Sequence, residues 1–235
     1  MKHRILVTAF LFFSLISAEM QGQEIQTIAD ETPQTHSGLY IGAQATTNGL
    51  GFNLNYIAGY RLTLKTGVES LKYNFNFPYE ENDINYDASF QYKTGGIFLL
   101  ADYFYAKSLY LSGGVVMNNF QPKFEGVAAS EMTYGDITIP ASKVGDFRFE
   151  VEPELKFSPY VAAGFRKFFG KTKMVSWNFE TGLYYMGPPK LNIQTTGLLA
   201  PTSDPAHGHQ QYLENQFSVY KYYPVVKFAL GIRLI

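Results

Sequence analysis

The chain has 235 residues, a net charge of −1 and no cysteine, which excludes a disulfide framework, a Cys-ligated metal and a lipobox anchor. The charge balance also argues against a nucleic-acid binder, which would carry a basic patch. Only 17% of the residues are charged, whereas Phe numbers 20 and Tyr 18, a bias toward β-formers that points to one all-β domain.

At the N-terminus, Lys2, His3 and Arg4 precede an apolar run from Ile5 to Ile16 and the small residues Ser17 and Ala18. This pattern predicts an export signal over residues 1–22, removed between positions 18 and 22. An uncleaved anchor is the alternative, but no stop-transfer pattern follows. Residues 23–37 read as a flexible polar lead-in and 38–235 as the folded body. No later segment has the roughly 18 unbroken apolar residues of a spanning helix, so a membrane location would require strands.

Period-two alternation then marks eight strands. The first is Gly38 to Thr46, followed by a Thr47-Asn48-Gly49 turn and a second strand from Leu50 to Tyr60. The third, Leu62 to Phe75, changes phase after Glu69, which predicts either a bulge or a strand leaving the membrane. Residues 76–88 read as an acidic loop. Strand four spans Ser89 to Tyr105 and strand five Leu109 to Phe120. Residues 121–155 are irregular, although Met132 to Ile139 and Phe147 to Glu152 still alternate and predict strand extensions above a barrel. Strand six is Leu155 to Phe168 and strand seven Val175 to Met186. A loop over 187–221 contains a helix capped by Ser203 or Asp204, with Pro205 in its first turn and an end near Tyr220. Strand eight is Tyr222 to Ile235.

Connections after strands two, four and six are short, and those after three, five and seven are long. Residues 76–88 and 121–155 hold eleven of the twenty acidic residues, whereas Lys107, Lys171 and Lys173 sit in short turns. Short turns at one end and long loops at the other predict an eight-stranded antiparallel up-and-down transmembrane β-barrel with a short helix in its last external loop. A soluble β-sandwich or lipocalin-like barrel accounts for the alternation too. It accounts less well for aromatic faces set against faces of Gly, Asn and isolated charges.

Three stretches resemble small outer-membrane barrels of Gram-negative bacteria, of the OmpW-like and OmpA-like kind: Pro159 to Phe165, Trp177 to Leu191, and Tyr222 to Val226. The resemblance covers the last third of the chain. It implies an outer-membrane location, contact with outer-membrane lipid and lipopolysaccharide, and folding by the barrel-assembly machinery. Members mostly lack an assigned activity. Such barrels usually end on an aromatic residue that the machinery reads, whereas this sequence ends Leu234-Ile235.

The strand phases point Lys65, Glu69, Glu180, Lys227 and Arg233 inward, with Asp102 and Arg166 as companions. Charges inside a narrow barrel must pair, so this network is a structural salt-bridge plug or a switchable polar gate. His207 and His209, with His36 far away, complete no metal site, and no strand sets a His beside a Ser as a hydrolase requires. Glu80, Glu81, Asp83, Glu150 and Glu152 read as solvated loop carboxylates that fit no EF-hand spacing. Leu213, Phe217 and Tyr220 form a helical stripe suited to a cap over the barrel mouth or an interfacial helix. The sequence predicts no enzyme, no cofactor and no metal. It predicts a structural or surface-interaction role, with porin-like passage of small or hydrophobic molecules through a narrow lumen as an addition. A lipid-modifying enzyme and a secreted ligand-binding barrel are the alternatives, and no small-molecule ligand is identified.

Overall fold

The computed structural model describes residues 37–81, 84–170, 172–204 and 208–235. The expected export signal and almost all of the lead-in, with His36, Asp83, Pro205 and His207, lie outside the described residues. Thirteen strands are described: β1 (Gly38–Thr46), β2 (Gly49–Ile57), β3 (Leu62–Glu81), β4 (Ile84–Phe104), β5 (Leu109–Asn118), β6 (Lys123–Ala128), β7 (Met132–Tyr134), β8 (Ile137–Ile139), β9 (Asp146–Glu152), β10 (Phe157–Phe169), β11 (Val175–Tyr185), β12 (Lys190–Thr195) and β13 (Tyr222–Arg233). Three short helices join them: α1 (Ala141–Val144), α2 (Ala200–Ser203) and α3 (His209–Phe217). No described helix is long and apolar enough to cross a membrane, which says nothing of strands.

All strand pairings are antiparallel, and eleven strands share one sheet. Period-two alternation predicts eight strands, and the sheet has three more. Following hydrogen-bonded neighbours from β4 through β3, β2, β1, β13, β11, β10 and β5 leads back to β4. The other three, β6, β9 and β12, attach in that order to the far half of β4. β4 is therefore forked: Gly96–Phe104 pair with β5, and Tyr86–Gln91 pair with β6. Beside the fork stands Gly95 at φ 115°, a backbone conformation that side-chain-bearing residues rarely adopt.

Of residues 76–88, expected as a loop, 76–81 and 84–88 are instead the paired ends of β3 and β4. Asn and carboxylates made this stretch look irregular. Its inward residues Phe77, Tyr79 and Tyr86 pack against Phe124 and Phe147, partners from distant sequence that local reading cannot supply. The expected bulge in β3 is absent, because the register runs unbroken from Leu62↔Tyr103 to Glu81↔Ile84. The change of phase instead marks the hairpin rising beyond its neighbour β2, whose pairing with β3 ends at Leu50↔Ser70.

Two cores result. Within the ring of pairings, Phe98, Leu100, Val116, Tyr160, Tyr184, Met186 and Val225 pack together. On the extension, Ile84, Tyr86, Ala128, Val144 and Phe147 form a second cluster, with Phe124, Ile139 and Leu199 against it. On the opposite face of the ring, Phe52, Leu64, Leu99, Leu111, Val161 and Phe228 are all exposed.

Helix α3 begins at His209, after Gly208 at φ 67°, and ends at Phe217, so it is shorter than expected and starts later. It meets the edge of β12 through its polar face: Glu214 accepts from the Leu191 N–H (3.0 Å) and Gln210 donates to the Leu191 carbonyl (2.7 Å). Phe217 and Tyr220 stay exposed.

Candidate functional site

Strict alternation sends every second side chain of the ring strands inward, and six of the seven expected charges meet there. Lys65 Nζ lies 2.5 Å from Glu180 and 3.1 Å from Asp102, and Arg166 donates to the other Asp102 oxygen at 2.7 Å. Lys227 lies 3.3 Å from Glu69. Three cations thus face three carboxylates, and the interior is electrically balanced. None of the six is more than 5% exposed. Charges this far from water must be paired and bonded, since each unpaired ion costs several kcal/mol.

The seventh does not join them. Arg233 has the inward phase but sits at the end of β13, where it donates to the carbonyls of Ile235 and Ser37.

Neutral side chains take up many of the remaining valences, while Asp102 Oδ1 and Lys227 Nζ are held by ion pairing without a hydrogen bond. Glu180 accepts from the hydroxyls of Tyr110 (3.0 Å) and Tyr160 (2.8 Å) as well as from Lys65. Arg166 also donates to Asn178 and Thr63. Glu69 accepts from Gln44 (2.9 Å) and Asn48 (2.7 Å), and Gln44 accepts in turn from Asn53. Aromatic faces take the cations: Lys227 Nζ is 4.3 Å from the Phe98 ring centre, and Lys65 Nζ is 5.4 Å from that of Tyr110. Room for this packing comes from glycine. A Cβ on Gly164, the cross-strand partner of Glu180, would stand 2.3 Å from the Tyr110 ring.

These neutral partners were not among the expected site residues. Asn48 reads as half of a turn signal, yet it is fully buried and bonds Glu69 while accepting from Thr94 and Tyr184. Tyr110, Tyr160 and Tyr184 read as part of the aromatic excess. Their inward parity was the available signal, because a Tyr on the same face as charges is placed to donate.

Toward the extension the interior becomes aromatic. Tyr184 and Tyr223 stack at 5.1 Å, Phe120 contacts Tyr223, and the Tyr92 and Tyr223 hydroxyls lie 2.9 Å apart. Burial, reinforced by that hydroxyl contact, pushes the Tyr92 phenol well above its ordinary value, so it stays protonated. At the short-turn end, a dimple of about 20 Å³ lies among Thr63, Phe104, Arg166 and Phe168, room for about one water. Two larger hollows lie elsewhere. One, open and apolar, is lined by Leu71, Tyr73, Phe75, Phe90 and Tyr92 on the inward side of the hairpin extension. The other, of about 310 Å³ and polar, lies at the fork of β4.

No group of three or more His, Asp or Glu among the described residues is placed to hold a metal ion. His209 opens α3. Glu80 and Glu81 end β3, and Glu150 and Glu152 lie in β9, where Gln121 donates to both.

No family model and no curated protein matches the chain. Among solved structures it is similar to the crystal structures of Acinetobacter baumannii CarO and CarO2, each with a TM-score of 0.54. Sequence identity is 16% and 18%; the matches cover 87% and 86% of this chain and 100% of each of the others. At such identity the likeness concerns the fold.

Proposed function

We propose that this protein is an integral outer-membrane barrel of a Gram-negative bacterium, closed by its eight ring strands and exported with loss of a signal segment cut between positions 18 and 22. In this reading it acts as a membrane-held platform for its external sheet, with a structural or surface-interaction role and no catalysis. The membrane assignment is supported by the outer face of the ring. Phe52, Leu64, Leu99, Leu111, Val161 and Phe228, on six different strands, are exposed there, an apolar surface on every side that water would not tolerate and lipid would cover. The stretches from Pro159, Trp177 and Tyr222 support grouping it with OmpW-like and OmpA-like barrels, and its natural partners are then outer-membrane lipid and the assembly machinery.

One observation carries the preference for a platform over a pore. A water-filled conduit would leave its lining charges accessible, yet Lys65, Glu69, Asp102, Arg166, Glu180 and Lys227 are at most 5% exposed. The purified chain in a planar bilayer is therefore expected to give a persistently closed trace, and sustained conductance steps would overturn the platform reading. Partition into aqueous buffer without detergent would overturn the membrane assignment. Unchanged acyl patterns in outer-membrane lipids, with and without the protein, are expected for a non-catalytic barrel. Passage or capture of hydrophobic molecules is the second reading, supported by the open groove of Leu71, Tyr73, Phe75, Phe90 and Tyr92.

A further inference from the structure

The polar hollow at the fork of β4 contains an unusual set of groups. It is lined by Lys93, Asn118, Asn119, Phe120, Gln121, Glu152, Pro153 and Lys156. The connection from β5 to β6 is held on β4 by two backbone bonds, Asn119 N–H to the Gly95 carbonyl (2.9 Å) and Gln121 N–H to the Lys93 carbonyl (2.8 Å). Asn118 is 3% exposed. Its side-chain oxygen accepts the Phe120 N–H at 2.7 Å, which fixes the amide and leaves Nδ2 as a buried donor without an acceptor. Leaving such a donor unmatched costs about 1–3 kcal/mol.

The cations point the same way. Lys93 reaches only a neutral acceptor, Gln121 Oε1 at 3.3 Å, and Lys156 has no ion pair among the described residues. Lys72 is the direct cross-strand partner of Lys93, on the outward side of the hairpin. Like charges at paired positions repel unless an anion lies between or beside them. Among the described residues Glu152 is the one acid lining the hollow, and Gln121 holds it at 3.1 Å.

Height on the wall completes the argument. The Lys72↔Lys93 pair lies four residues above the exposed apolar pair Val68↔Ile97, roughly 13 Å along the strands. Lys156 immediately precedes Phe157, which is exposed and paired with Met117. Lysines just above an apolar band reach the headgroup layer.

We propose that this hollow binds a phosphate group, and that its source is the phosphorylated headgroup of an outer-leaflet glycolipid. Lys93, Lys156 and Asn118 Nδ2 supply the donors, and Lys72 adds charge from the neighbouring strand. The lipid source rests on the membrane reading above; the phosphate chemistry does not. The test uses the full chain purified in detergent and titrated with bisphosphorylated lipid A, dephosphorylated lipid A and inorganic phosphate, read by native mass spectrometry.

Bisphosphorylated lipid A is expected to bind at least about tenfold more tightly than the dephosphorylated form, and the double variant K93Q/K156Q to lose that preference. K93R/K156R should retain it and N118D should weaken it, so the proposal stays testable if the glutamine variant fails to fold. Equal binding of the two lipids, or an unchanged preference in a folded K93Q/K156Q, overturns the phosphate site. Inorganic phosphate binding as tightly as lipid A overturns the headgroup assignment. A chain that stays in aqueous buffer without detergent yet binds phosphate fails the membrane reading and leaves the phosphate pocket standing.

Discussion

The two halves of the β3–β4 hairpin use one backbone and opposite chemistry. Below the Ser70↔Gly95 pair, Leu64, Val68, Ile97 and Leu99 point outward while Lys65, Glu69 and Asp102 point inward. Above it, Lys72, Asn74 and Asn76 take the outward positions, and Tyr73, Phe75, Phe77 and Tyr79 the inward ones. The register does not slip between them, so the inversion owes nothing to backbone geometry. In the membrane reading proposed above it follows from the surroundings: lipid outside the lower half demands apolar side chains, and water outside the upper half demands polar ones. A phase change in an alternating sequence can therefore mark the membrane surface rather than a bulge.

The largest loss of stability is expected where an inward charge loses its partners. Glu180→Ala removes the acceptor for Lys65, Tyr110 and Tyr160 together and leaves the interior with one excess cation. The expected loss is about 3–5 kcal/mol, read as a lower urea midpoint for the chain refolded in lipid. A midpoint within error of the unaltered chain would show that the network contributes no stability.

Phe147→Ala makes the corresponding cut in the upper half. Its ring touches Phe124, Tyr79, Tyr86 and Phe149, and removal is expected to cost about 3–5 kcal/mol locally. Because the two clusters share no residue, faster protease cleavage within 121–155 is expected alongside an unchanged resistance of the ring to heat in detergent. Simultaneous loss of both would show that the halves fold as one unit.

How much of this was legible in the sequence follows from the same contrast. Period two put Lys65, Glu69, Glu180 and Lys227 on one side with Asp102 and Arg166 expected as their companions, and charges on one side of a narrow ring have no choice but to meet. Arg233 obeys the same parity, yet it stands at the end of its strand, where backbone carbonyls compete successfully for it. Parity gives the face and not the depth. Residues 76–88 and 121–155 were harder for a different reason. Their strands are stabilised by pairings such as Ala88↔Gly126 and Gly126↔Phe147, set by contacts across long stretches of chain. Short-range signals from Asn, Asp and Glu outweighed the alternation beneath them.

A smaller effect is expected on the outer face, where one strand samples both surroundings. Leu99 and Gln91 lie on the same side of β4, eight residues apart. Leu99→Arg would place a charge in the lipid-facing band and is expected to cost about 2–4 kcal/mol if the position lies near the bilayer midplane. Refolding in lipid and in a detergent that solvates the charge should separate this cost from a packing defect, since only the former shrinks in detergent.

The same substitution at Gln91 is expected to be nearly silent. The Gln91 amide donates to Glu125 Oε1 at 2.9 Å, while Arg148 Nε donates to Oε2 at the same distance. An arginine at position 91 would find the same carboxylate, in water, where an exposed ion pair contributes about 0–1 kcal/mol. The urea midpoint should thus move by less than about 0.5 kcal/mol equivalent in either direction. A loss as large as that of Leu99→Arg would mean that position 91 is not facing water, and the membrane surface would then have to lie above the fork of β4 rather than below it. That displacement would bury Lys72 and Lys93 in hydrocarbon, so the outcome at Gln91 also decides whether those lysines stand at the height a headgroup occupies.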